Sequence, residues 1–175
     1  FSYATLKSIN LADSRKRPTC LSRVRWHHCQ QLNYARLGSS NLQDVCIRQL
    51  LISLDGMERD FSDVDLSNTD LAGAKLHRAI LKGANLSRAI LKSAELYGAN
   101  LTEAQCIGTD FTAAQLTGAC LEAWGIDETT ILKDVDCQYV FLKENINALG
   151  NRERLPHNPD KVFESGDFER YFQEV

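Results

Sequence analysis

Cys20, His27, His28 and Cys29 are the chain's one cluster of metal-ligating residue types. Thiolate and imidazole are the donors of tetrahedral zinc sites, but six residues separate Cys20 from His27-His28-Cys29, and that spacing fits no such site. The cluster therefore reads as part of an ordinary basic loop, and no metal is expected. The remaining cysteines (46, 106, 120 and 137) form no Cys-x-x-Cys pair. A chain of this size with its own core has little need of a disulfide framework, so the thiols are expected to be reduced. No Gly-rich phosphate loop, Gly-x-Ser-x-Gly elbow or His-Glu-x-x-His helix occurs, so neither a cofactor nor catalysis is expected. His77 follows Leu76 and reads as a solvated surface residue.

Charge narrows the partner classes. The 175 residues carry a formal net charge of −3. Between Ser14 and Gln43 there is no Asp or Glu, while Arg15, Lys16, Arg17, Arg23, Arg25 and Arg36 are all basic. Arg residues mixed with Trp26 and Tyr34 over 14–36 can suit nucleic acid. A flexible basic insertion is the preferred reading, and nucleic acid is not the expected partner. No run of eighteen apolar residues exists to span a membrane as a helix, nor do the first ten residues read as a secretory signal. A cytoplasmic location is the expectation. The chain opens on Phe1 and its only methionine is Met57, so it reads as a fragment or processed product that could have lost a targeting segment.

The element that must position any functional residue is a repeat. Every fifth residue from 61 is apolar: Phe61, Leu66, Leu71, Leu76, Leu81, Leu86, Leu91, Leu96, Leu101, Cys106, Phe111, Leu116, Leu121, Ile126 and Ile131. Two residues before each, from Val64 to Ala119, twelve consecutive positions are small and nine are alanine. A five-residue period fits neither a 3.6-residue helix nor a two-residue strand. Five glycines (73, 83, 98, 108 and 118) fall two residues after the large apolar position, where a sharp turn of the backbone favours glycine. Each pentad thus reads as a short extended piece followed by a corner. All three prolines lie outside the array.

Ala84-Asn85-Leu86-Ser87-Arg88 and Ala99-Asn100-Leu101-Thr102-Glu103 resemble the unit of the pentapeptide-repeat family. The resemblance covers about seventy-five residues, and it implies an all-β solenoid: a right-handed quadrilateral parallel β-helix with four pentads per coil. In that fold the large residue and the small one two before it point inward, so Phe61 through Ile126 in the series above form the core. Lys75, Ile80, Ile90, Glu95 and Cys120 depart from the unit's Asp or Asn at an outward position. Fifteen pentads make nearly four coils, a column about 18 Å tall at a strand spacing of about 4.8 Å. Residues twenty apart then stack, placing Lys75 over Glu95 and Glu58 over Arg78.

Open coil ends invite pairing with other chains, so caps are expected. Ser40 and Asn41 can start a helix over 41–54 whose Ile47, Leu50, Leu51 and Leu54 cover the first coil, with Gly56 stopping it. Ala35-x-Leu37, Ser40-x-Leu42 and Val45-x-Ile47 also permit a pentad reading there, but Leu50 and Leu51 have no place in one. Phe1, Leu6 and Leu11 read as the end of an earlier array. After Ile126 the phase slips by one (Thr130-x-Leu132, Val135-x-Cys137, Val140-x-Leu142), and Trp124 fills a normally small site, so a bulged last coil is expected. Residues 144–164 read as irregular. Ser165-Gly166-Asp167 can start a helix over 166–175 with Phe168, Tyr171, Phe172 and Val175 on one face. The expected division is an N-terminal segment 1–57, an array 58–143 and a tail 144–175.

The functional expectation is a non-catalytic structural or protein–protein interaction module with an unidentified protein partner. Candidate contact residues are Lys75, Arg78, Lys82, Arg88 and Lys92, which cluster in one basic coil, with the outward Ile90 and Tyr97. Some relatives that the resemblance brings in mimic DNA and bind type II topoisomerases. From Glu58 to Asp136 there are thirteen acids and seven bases, the right sign for a mimic, but the basic coil interrupts it. A third reading is an accessory targeting module of a larger signalling protein.

Overall fold

A computed structural model describes residues 44–148 and 150–173. The basic segment 14–36, the Cys20–Cys29 cluster, the pentads near Phe1 and positions 41–43 lie outside the described residues.

Helix α1, Val45–Ser53, opens the described chain. Asp44 caps its start, and the expected Ser40–Asn41 start lies outside the described residues. Asp44 is extended (φ −67°, ψ 126°), and its carboxylate accepts from the N–H groups of Cys46 and Ile47, donors that the first turn leaves unpaired. It ends at Leu54, which is left-handed at φ 56°, and not at Gly56. Ile47, Leu50 and Leu51 are buried in one core with Phe61 and Leu76.

The array then runs as a ladder of single-residue parallel bridges. Asp55 pairs with Lys75, Asp60 with Ile80, Asp65 with Asn85 and Asp70 with Ile90, and the same offset of twenty repeats up to Gln105–Gly125. Four bridges per twenty residues make a four-sided coil, with coils starting at 55, 75, 95 and 115. The bridged array thus begins at Asp55, three residues before its expected start. Each side is one small inward residue, one outward bridged residue and one large inward residue. A two-residue corner follows, and its second residue is left-handed in pentad after pentad: Gly73 at φ 70°, Gly83 at 65°, but also Arg78 at 53° and Glu103 at 58°. Glycine relieves that corner conformation, and the other corners carry it as a small local cost offset by the ladder.

The inward positions Phe61, Leu66, Leu71, Leu76, Leu81, Leu86, Leu91, Leu96, Leu101, Cys106, Phe111 and Leu116 are all 0% exposed, and Leu121 is 3% exposed. Ile126 is half-buried against this core. Ile131 is not inward: it bridges Asp110 and is 43% exposed, while Leu132 beside it is 0% exposed. The offset becomes twenty-one from that bridge onward. The extra residue is absorbed in the turn at 127–130, where Thr130 N–H donates to Asp127 O (3.0 Å) and Thr130 Oγ1 donates to Cys106 O (2.9 Å).

Gly56 occupies the phase that leucine holds in most pentads. A Cβ there would lie 2.8 Å from Phe61 Cε2, 2.9 Å from Leu76 Cδ2 and 3.0 Å from Leu50 Cδ1. The missing side chain is replaced by Leu50 of α1.

Residues 144–164 contain more order than expected. β1 (Val140–Phe141) pairs antiparallel with β2 (Arg154–Leu155), and Leu155 is buried. α2, Asp167–Gln173, buries Phe168 in an aromatic group with Trp124, Phe163 and Phe172. Trp124 also packs on Phe111, ring centroids 5.9 Å apart. Tyr171 meets Phe172 edge-to-face, ring centroids 5.1 Å apart, and is 44% exposed; Val175 lies outside the described residues.

Candidate functional site

The outward residues divide into those that hold the column and those left for a partner. Asp or Asn at the bridged position accepts a hydrogen bond from the N–H two residues on. Asp60 takes Ser62 (2.8 Å), Asn85 takes Ser87 (3.0 Å), Asn100 takes Thr102 (3.1 Å) and Asp110 takes Thr112 (3.1 Å). These are Asx turns that close the corner. Two of these carboxyls, Asp60 and Asp110, are held below the usual range. At Asp60 the Ser62 hydroxyl and N–H cause it. At Asp110 burial alone would raise the value, but Thr112 and Lys92 together outweigh it. Such carboxylates are ionised acceptors, unsuited to general acid–base work near neutral pH.

Two buried thiols are equally unsuited. Cys46, Cys106, Cys120 and Cys137 are free. Burial pushes the Cys106 thiol far up, and burial with help from Asp136 pushes Cys137 up to about 12. A thiolate is the reactive form, so neither is a nucleophile near neutral pH. Among the described residues no group of His, Cys, Asp and Glu is arranged to hold a metal, and no helix is long and apolar enough to cross a membrane.

The five cations of the second coil do not share a face. Five residues per side place Arg78, Lys82, Arg88 and Lys92 at four successive corners, with Lys75 on the side before Arg78. Three have carboxylate partners: Arg78 with Glu58 (3.3 Å), Lys82 with Glu144 (2.6 Å) and Lys92 with Asp110 (3.1 Å). Glu95 pairs with His77 (2.7 Å), although Lys75 is its bridge partner. His77 was expected to be simply solvated; it is held by Glu95 and meets Tyr97 edge-to-face at 5.4 Å. Ile90 is half-buried on the side between Arg88 and Lys92.

One corner differs from the other three. Met57, His77 and Tyr97 stack on it, twenty residues apart, and the backbone records the stacking: Glu58 N–H donates to His77 O and Arg78 N–H to Tyr97 O. Met57 is 45% exposed, Tyr97 37% and Ile80, on the adjoining side, 38%. Above Tyr97 the same phase is Thr117, with Gly98 against the Arg78 side chain and Gly118 under Tyr139.

The tail is fastened to the next corner. Glu144 Oε2 accepts from Lys82 (2.6 Å) and Oε1 from Asn100 Nδ2 (2.8 Å), while its N–H donates to Glu122 (2.7 Å). Lys143 also pairs with Glu122 (3.0 Å).

This four-sided ladder with small and large residues alternating inward is matched by the family model for pentapeptide repeats, in eight copies over residues 60–96 and 89–123. A pentapeptide repeat protein from Nostoc PCC 7120 is 31% identical over 47% of this chain and 68% of its own, with a TM-score of 0.46. The chain belongs to the pentapeptide-repeat family. HetL, a pentapeptide repeat protein involved in heterocyst differentiation regulation in the cyanobacterium Nostoc sp. strain PCC 7120, is 29% identical over 57% of this chain, with a TM-score of 0.49. The match spans 43% of the HetL chain. No curated protein matches this sequence.

Within a pentapeptide-repeat column, the array positions and their vertical neighbours follow from counting. The Met57–His77–Tyr97 corner was countable too, since the three lie at one phase. The signal needs all three residues together, because His77 by itself looks like any solvated surface residue. The Lys82–Glu144–Asn100 cluster carried no such signal: Glu144 lies sixty-two residues from Lys82 and outside the repeat.

Proposed function

We propose that this chain is a non-catalytic interaction module: a right-handed, four-sided column that presents one corner to a protein partner. In this reading α1 closes the first coil, and β1, β2 and α2 close the last. The exposed stack of Met57, His77 and Tyr97 with Ile80 beside it carries the proposal, because it is an apolar and aromatic strip that continues over three coils. Aromatic and Met side chains are enriched at the centres of protein interfaces. Coil-to-coil hydrogen bonds occupy the backbone along the column sides, so a partner there reads side chains and does not add a strand. The last coil's edge is likewise occupied, by the β1–β2 pair and by Phe163 N–H donating to Gln138 O. A duplex mimic would need an unbroken acidic surface, and residues 75–94 hold five cations and no carboxylate.

The test is site-specific photo-cross-linking in cells of the source organism. A photoreactive residue at Tyr97 should give a discrete protein adduct, and the same residue at Arg88, on the opposite corner, should not. Equal adducts from both corners, or none from Tyr97, would refute the corner assignment. Inhibition of gyrase supercoiling by the chain would replace it with the topoisomerase reading.

A further inference from the structure

The tail carries a second exposed apolar feature, away from the corner. α2 and residues 156–163 flank an open groove of about 570 Å³ lined by Pro156, Val162, Phe163 and Tyr171, with Lys161, Asp167 and Arg170 on it. Its volume lies in the range of ordinary binding pockets, ~300–1,000 Å³. We propose that this groove docks a short acidic segment of a partner protein, which seats one apolar side chain on Val162 and Tyr171 and sets a carboxylate against Lys161. The proposal rests on the interaction-module reading and names a second surface and its partner's chemistry.

Both walls are built before any partner arrives. The Arg154 guanidinium donates to three carbonyls in one loop: Pro156 O (2.9 Å), Asn158 O (2.8 Å) and Lys161 O (2.9 Å). It also lies over the Tyr139 ring, 4.6 Å from the centroid. That side is therefore pinned to the last coil, and Phe163 N–H donating to Gln138 O (2.8 Å) pins it again. The opposite wall, α2, is anchored by Phe168, 2% exposed. A groove with fixed walls binds without the ordering cost of a mobile one.

The apolar surface between the walls is nevertheless uncovered: Val162 is 51% exposed and Tyr171 44%. A single exposed apolar residue needs no explanation; here two line one preformed groove. Charge selects the occupant. Arg170 is already paired with Asp167, whereas Lys161 has no ion pair among the described residues. The groove thus offers an unmatched cation beside apolar surface, on a chain whose formal charge is −3. A basic or purely apolar segment would leave Lys161 unmatched.

The experiment is selection of a short-peptide phage library on the whole chain. Enriched peptides are then titrated by fluorescence anisotropy against the unmodified chain, Lys161→Glu, Tyr171→Ser and Tyr97→Ser. All three positions are at least partly exposed, and matching melting curves establish that each variant is folded. Peptides pairing Asp or Glu with a neighbouring apolar residue should enrich, and should bind about tenfold or more weakly to Lys161→Glu and to Tyr171→Ser. Tyr97→Ser should leave them unchanged. Enrichment of basic or uncharged peptides, or of none, overturns the groove. Peptides weakened by Tyr97→Ser and not by Lys161→Glu also overturn it, while leaving the interaction-module reading standing on the corner.

Discussion

Replacing Gly56 with alanine tests how α1 closes the array. Glycine in a non-turn position is normally improved by alanine, by roughly 0.4–1 kcal/mol, because the unfolded chain loses freedom. Gly56 is not left-handed, so no backbone strain opposes the change. Packing opposes it. The new methyl would meet Phe61, Leu76 and Leu50 at 2.8, 2.9 and 3.0 Å, and all three side chains are 0% exposed. Overpacking of this kind costs about 1–3 kcal/mol. A loss of that size lowers the melting temperature by roughly 2–4 °C per kcal/mol in a chain of this length. The assay is thermal melting followed by circular dichroism, on Gly56→Ala, Leu50→Ala and the double variant. Leu50→Ala alone should cost about 2–5 kcal/mol through its cavity. The double variant should be more stable than the sum of the two losses, because the alanine methyl enters space that Leu50 vacates. A Gly56→Ala chain that melts at or above the parent temperature, or strictly additive losses, would refute the claim that Leu50 fills the missing side chain's place.

Four further outcomes rest on the same packing and electrostatics. Ala89→Leu, at an inward position 1% exposed, should lose about 1–3 kcal/mol by overpacking, and Leu86→Ala about 2–5 kcal/mol by cavity formation, both read from thermal melts. Phe168→Ala should release α2 from Trp124 and Phe163, so that amide exchange rises over 163–173 while residues 76–116 keep their protection; uniform loss of protection would show α2 to be integral to the column. Asp60, Asp110, Asp127, Glu122 and Glu144 all have lowered folded-state values. Their stabilisation is present above the ordinary carboxylate range of about 4 and is lost as pH falls through the folded values. Melting temperature should therefore drop on acidification below about pH 4, and a flat profile there would contradict these hydrogen bonds.

The sequence by itself determined everything that recurs. A pentad places its own residues inward or outward by local geometry, and four pentads close a coil, so counting in fives and twenties locates Leu86 in the core and Glu58 beside Arg78. The same counting exposed the slip after Ile126, because a changed phase is visible as soon as Leu132 replaces Ile131 inside. Only the tertiary structure decided what happens where the repeat stops. That Leu50 fills the space of Gly56, that Glu144 reaches back to Lys82 and Asn100, and that Arg154 gathers three carbonyls into the wall of a groove depend on how non-repeating segments pack in three dimensions. No period encodes those contacts: counting in fives puts four of the basic coil's cations on four corners and in twenties sets Arg78 beside Glu58, but the pairing of Lys82 with Glu144 comes from outside the repeat.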